Sequence, residues 1–256
     1  MKNFRLGNLP LLGIVLWSFF VLSACSKSDN DTPAPTPDLN SLYAASIKDA
    51  MTADSSEIID SLWPITATNT RLQWKTINGQ QYVLMATFMR FPSSYPQGDS
   101  ITTTWGESFL FIPTQMKQKL TPQLTSSTDT ILRICEVLGL PPTNPKTNTH
   151  IAQMWVPASQ LYRPAGNPDI TTTTTGPVPL PTVSNDFLTW FNNYIIFAYY
   201  HPLTSATDFH YPWTRLGYTY DWAPNVKRVG MSEFVMKPST GCWVEKTTTA
   251  QDFFKQ

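Results

Sequence analysis

Apolar residues along this chain follow three patterns. Leu6 to Val21 is a nearly unbroken apolar run, interrupted at Gly7 and Pro10. A polar stretch follows, and from Ser41 onward short segments alternate between strand and helix periods. Ser41 to Trp63 reads as one or two short helices ended by Pro64. Leu72 to Ile77 and Tyr82 to Met89 flank Asn78-Gly79, a pair that favours the left-handed conformation of tight hairpin turns. Trp105 to Ile112 predicts a third strand stopped by Pro113, after which Thr114 can cap a short helix through Leu120. Ile131, Ile134, Cys135 and Leu138 recur at helical spacing behind Thr128-Asp129, with Gly139 and Pro141-Pro142 at the far end. His150 to Leu161 predicts a strand that leaves its sheet at Pro157.

Phe187, Leu188, Trp190, Phe191, Tyr194, Ile195 and Ala198 predict a helix with one wide apolar face, capped by Ser184 or Asn185 and ended by Pro202. Glu233 to Lys237 and Cys242 to Lys246 bracket Pro238 to Gly241, which reads as a second hairpin. Thr249 to Asp252 can open a last helical turn carrying Phe253 and Phe254. Strands and helices mix without the regular alternation of parallel-sheet units. The expected class is α+β, a mainly antiparallel sheet with helices on one face, as a single domain over 41–256. The threonine- and proline-rich segment from Thr171 to Pro181 reads as an exposed, mobile loop.

The first apolar run belongs to a different kind of segment. Lys2 and Arg5 precede it, and Ser23-Ala24 supply small residues before Cys25, the three parts of an export signal. Leu22-Ser23-Ala24-Cys25 resembles the lipobox of bacterial lipoproteins. That resemblance implies cleavage after residue 24 and lipidation of Cys25. The alternative, an uncleaved anchor, has close to the ~20 residues a span needs but is broken by Pro10. Ser26 to Asp31 is similar to the acidic export signal of surface lipoproteins of the Bacteroidota, and lacks the Asp after Cys25 that retains lipoproteins at an inner membrane. A plain solvated linker over 25–40 accounts for the same residues, with Thr32 to Pro37 as an extended spacer. The expected location is the outer membrane, facing outward, with the lipid as the membrane contact. Two or three acyl chains suffice for this, since each buried methylene contributes about 0.8 kcal/mol.

Removing residues 1–24 deletes Lys2 and Arg5 and leaves 16 basic against 18 acidic side chains, a net charge of −2. No basic run remains, which points away from nucleic acid as a partner. Charged residues make up only 14% of the chain while aromatics reach 13%, so large rings must form the core. Cys135 and Cys242 could bridge in an oxidising compartment or could be small buried apolar residues.

Glycine-rich phosphate loops, zinc-spaced cysteines and His-Glu-x-x-His are absent from the sequence, and no cofactor or metal is implied. Gly230-Met231-Ser232-Glu233-Phe234 lacks the second glycine of a nucleophile elbow. Chemistry concentrates instead in His210 to Trp222. Trp213, Arg215, Tyr218, Tyr220, Asp221 and Trp222 offer flat faces, a planar cation and a carboxylate, which suit a glycan or a peptide. The same residues also fit a half-buried strand in which Arg215 pairs with Asp221 to close a turn. Tyr218 and Tyr220 would then share one face, with Thr219 and Asp221 on the other. A catalytic alternative uses His210, Asp221 and Glu233, the two carboxylates acting as the acid and base of a glycosidase. Asp208 and His210 form a weaker metal pair, and Arg163 can meet Asp169 across a turn. Trp155 to Pro164, Tyr211 to Trp222 and Gly230 to Val235 resemble an uncharacterised group of secreted bacterial proteins. That resemblance places 155–235 in one domain and implies no activity. Three functions stay open: a surface binding module, an extracytoplasmic hydrolase or transferase, and a structural lipoprotein.

Overall fold

A computed structural model of the chain describes residues 38–255. The signal over 1–24, the lipidation site Cys25 and the linker as far as Pro37 lie outside the described residues.

Helix α1 (Leu39–Ala50) starts inside the stretch assigned to the linker, because the Asp38 side chain accepts from the N–H groups of Asn40 and Ser41. It stops at Ala50, well short of Pro64, and only a single 3-10 turn (Ser55–Glu57) follows. Strands β1 (Trp74–Ile77) and β2 (Gln80–Met89) form the expected hairpin. Asn78 (φ 51°) and Gly79 (φ 77°) both adopt the left-handed conformation, as a two-residue turn between right-twisted strands requires. The next elements are β3 (Ser100–Thr102), which the pattern did not predict, β4 (Ser108–Leu110) and α2 (Pro113–Leu120). Pro113 is the first residue of α2 rather than a barrier before it, since proline's missing N–H costs nothing there. Thr114 does not cap the helix; its hydroxyl donates to the Arg71 carbonyl.

Helix α3 (Thr130–Val137) is capped by Asp129 and ends as a Schellman motif. Gly139 (φ 65°) donates to Glu136 O, and Leu140 N–H donates to Cys135 O at 2.8 Å. Strand β5 (His150–Pro157) leaves its sheet at Pro157, and β6 (Leu161–Tyr162) enters another. Helix α4 (Asn185–Tyr199) is capped by Ser184. The chain ends with β7 (Tyr218–Tyr220), β8 (Val229–Ser232), β9 (Phe234–Met236), β10 (Gly241–Thr249) and α5 (Ala250–Phe253), which Thr249 caps.

The fold is α+β with antiparallel sheets. Five strands run in the order β1-β2-β5-β10-β3, three in the order β4-β9-β6, and β7 pairs with β8. The second expected hairpin does not form. Strand β9 pairs with β4 and β6, while β10 pairs with β5 and β3, so residues 237–240 cross between sheets. The crossing is held by Thr103, whose carbonyl accepts from Ser239 N–H at 2.8 Å and whose N–H donates to Thr240 O at 3.1 Å.

Strand periodicity explains the layers. Val83, Met85 and Met89 of β2 join Ala152, Met154 and Val156 of β5 on one face. Leu110, Leu161, Phe234 and Met236 of the smaller sheet close over them. Ala86, Phe88 and Ile151 face the other way, under α2, α3 and α5. A third cluster, aromatic in character, joins α1 and α4 through Tyr43, Phe191, Tyr199, Trp213, Tyr220 and Trp222. Cys135 and Cys242 are free thiols in separate clusters, so the possible bridge is not made.

The threonine-rich segment is not an open loop. Thr173 O accepts from Leu62 N–H, Ile170 O just before it accepts from Ile65 N–H, and Gly166 N–H donates to Gly176 O at 2.9 Å. Its organiser is Arg163, which is fully buried and donates to the carbonyls of Trp63, Ile170, Thr172 and Gly217 at 3.2–3.4 Å. A guanidinium has five donors and no acceptor, so a shell of carbonyls engages Nη1 and Nη2 where no carboxylate is bonded to it, while the buried Nε has no partner among the described residues. The expected Arg163–Asp169 pair is absent as a bond; Asp169 accepts from Thr171 instead.

Candidate functional site

Where β4, α4, the turn after α3 and the segment 211–214 meet, they leave a cavity of about 450 Å3. That size suits a small ligand. Phe109, Phe111, Tyr194, Phe197, Trp213 and Tyr220 are among the rings of its wall. Tyr194 projects from α4 between Phe109 (centroids 5.2 Å apart) and Trp213 (4.8 Å, edge-on). Phe197, one turn further along α4, stacks on Tyr211 and is 46% exposed at the outer side. Gly139 allows the close approach on the opposite side, because a Cβ there would lie 3.2 Å from Pro212.

Two carboxylates line this cavity, Glu107 and Glu233. Glu233 sits at the corner between β8 and β9, where its N–H donates to Gly217 O at 3.0 Å. Its neighbours Ser232 and Phe234 are buried on the opposite side, which turns the Glu233 side chain toward the cavity. Protein surrounds the Glu233 carboxyl and the Tyr194 ring, yet both keep accessible surface, and that surface is the cavity's. The Glu233 carboxyl makes no hydrogen bond among the described residues. Burial pushes this group up to about 8, opposed by the nearby Arg163 guanidinium. Burial also raises the Tyr194 hydroxyl, and the Glu233 charge adds to it. Glu107 stands at the exposed rim and accepts from Tyr162 Oη and Trp190 Nε1, each at 2.7 Å.

The aromatic segment singled out in the sequence has a different role from an open binding platform. Trp213, Tyr218, Tyr220 and Trp222 are each no more than 6% exposed. Trp213 packs on Phe191 and Tyr194 and donates to Pro164 O, and Trp222 donates to Leu140 O. Tyr218 and Tyr220 do share a face, reaching Glu57 O and the Asp49 carboxylate at 2.9 Å each. Of this group, only Trp213 and Tyr220 reach the cavity wall.

The expected Arg215–Asp221 pair is not made. Arg215 (φ 60°) donates to the carbonyls of Ala50 and Met51, where it caps the negative end of α1. Asp221 is buried and accepts two bonds from Arg133, at 3.0 and 2.7 Å, with Lys119 at 3.8 Å. The charges are therefore matched across elements, which local spacing does not reveal. Asp221 is not on the cavity wall, so the Asp221–Glu233 pair of the catalytic alternative does not converge there. His210 contacts His201 O, and Asp208 holds His201 and Thr204. No group of three metal-ligating side chains occurs among the described residues. Ser232 accepts from Trp63 N–H at 2.8 Å and lies within 3.2 Å of the Gln115 amide, a structural role.

Sequence reasoning found Glu233 but paired it with the wrong carboxylate, and missed Glu107 and Tyr194. The available signal for Glu107 was a lone carboxylate in an apolar strand. Tyr194 was indistinguishable from the other rings of the α4 face. Compared with known protein families, curated proteins and solved structures, the chain matches none.

Proposed function

We propose that this chain is a lipid-anchored outer-membrane protein, facing outward, whose body binds a small ligand or a peptide or glycan terminus in the cavity around Glu233. The anchor rests on Leu22 to Cys25 and the acidic residues after it. The observation that carries the binding reading is the unpartnered Glu233 carboxyl in an aromatic-walled space. A ligand that fills this space removes the carboxyl from water and must itself supply its hydrogen-bond partner.

The raised Glu233 carboxyl is also what a general acid requires, which favours a hydrolase or transferase as second reading. Binding is preferred because no histidine among the described residues lines the cavity and the Ser232 hydroxyl is engaged elsewhere. The test is a ligand screen by thermal shift on the lipidated chain in detergent, with Leu138→Trp alongside. Leu138 is half-buried on the cavity wall, so the larger ring fills the space. Hits lost in the folded variant support the site; hits retained by it move binding elsewhere. Turnover of a hit would favour the enzyme. Cys25→Ala should leave an unlipidated precursor, and normal acyl labelling of that variant would refute the anchor.

A further inference from the structure

The lining of the cavity is one-sided in charge. Among the described residues Glu107 and Glu233 are its only carboxylates, and no Lys, Arg or His contributes to the wall. Arg163 lies behind it, its guanidinium 4.7 Å from the Phe234 ring and bonded to carbonyls through Nη1 and Nη2. With both carboxylates ionised, the three groups sum to a charge of −1. Eight of the other lining residues are aromatic, and ring faces carry negative potential.

We propose that the ligand of this cavity is an organic cation, an alkyl- or arylammonium group held between the Glu233 carboxylate and the rings of Tyr194, Trp213 and Phe109. This rests on the cavity being the binding site. An ammonium group supplies the donors that Glu233 lacks, and the rings bury its carbon skeleton while attracting its charge. Anionic ligands meet two carboxylates and no cation at the wall. Neutral ligands leave Glu233 as an uncharged acid. The amine of a peptide N-terminus or lysine belongs to the favoured class, whereas an uncharged or acidic glycan does not.

The same arrangement couples binding to a proton. The groups around Glu233 are Arg163 behind β9, Tyr194 and Tyr199 on α4, and Glu107 across the cavity. In the empty cavity, burial keeps the Glu233 carboxyl protonated below about 8. A cation requires the carboxylate, so its binding releases that proton and tightens as pH rises.

The experiment is calorimetric titration of the full chain in detergent with three probes of one size: phenethylammonium, phenethyl alcohol and phenylacetate. The expected order places phenethylammonium at least about tenfold tighter than the alcohol, with phenylacetate not binding. Its affinity should rise more than about tenfold from pH 6 to pH 8. Glu233→Gln, an uncharged isostere, should remove both the preference and the pH dependence, and Glu107→Gln should weaken the cation less. Equal affinity for ammonium and alcohol overturns the inference, as does cation binding unchanged in Glu233→Gln or absent from the wild type. If the alcohol or another neutral hit binds and Leu138→Trp blocks it, the cavity reading stands while the cation assignment falls. If no ligand responds to Leu138→Trp, the cavity reading falls as well.

Discussion

Burying Glu233 makes stability depend on pH in a direction opposite to that of most carboxylates. Its group sits near 8 in the folded chain against an ordinary value of 4.5. Between these values the folded state holds a proton that the unfolded state releases. Stability is therefore fully present below pH 4.5 and declines as pH rises toward 8, by up to about 1.4 kcal/mol per pH unit. Integrated over that titration, the loss is about 2–3 kcal/mol from pH 5 to pH 7 and about 4 kcal/mol by pH 9. Glu233→Gln removes the titrating group and keeps its shape. Urea unfolding followed by tryptophan fluorescence at several pH values should show wild type losing stability relative to the variant as pH rises. The difference should level off above pH 8, once the folded carboxyl is also ionised. Parallel curves for the two proteins would refute the reasoning, since they would mean that the cavity leaves the carboxylate as well solvated as water does.

Arg133→Met should destabilise the chain by about 3 kcal/mol, because it leaves the buried Asp221 carboxylate with Lys119 at 3.8 Å and one long bond from Ala223 N–H at 3.4 Å. Adding Asp221→Leu should recover most of the loss in denaturant melts, and no recovery would show that the two groups act separately. Gly230→Ala should cost about 3 kcal/mol or more. Its Cβ would lie 2.4 Å from the carbonyl oxygens of Thr219 and Val137, and a soluble variant with an unchanged melting point would contradict that packing. Burial pushes the thiols of Cys135 and Cys242 up to about 12 and about 11, so both should resist alkylation in the native protein. Both should label in urea without reductant, and a requirement for reductant would reveal a bridge.

Local chemistry made several elements legible from the chain alone. Asn78-Gly79 fixed the first hairpin because few residue pairs tolerate two successive left-handed positions. Asp129 and Gly139 marked both ends of α3, since caps act within a single turn. Ser184 and the ring spacing likewise marked α4. The paired Phe234 and Cys242 segments misled because a turn signal states that the chain bends, not which sheet each arm joins.

The sequence by itself determined the α+β class, the first hairpin, both ends of α3 and the start of α4. These follow from backbone preferences and periods that operate over a few residues. Only the tertiary structure decided the partners of charge. Arg133 reaches Asp221 from 88 residues away, and Arg215 reaches the end of α1 from more than 160. It also decided that the aromatic segment is core and that Glu107, Tyr194 and Glu233 surround one space. Burial and cavity shape depend on how distant elements pack, and the pattern along the chain carries no term for that distance.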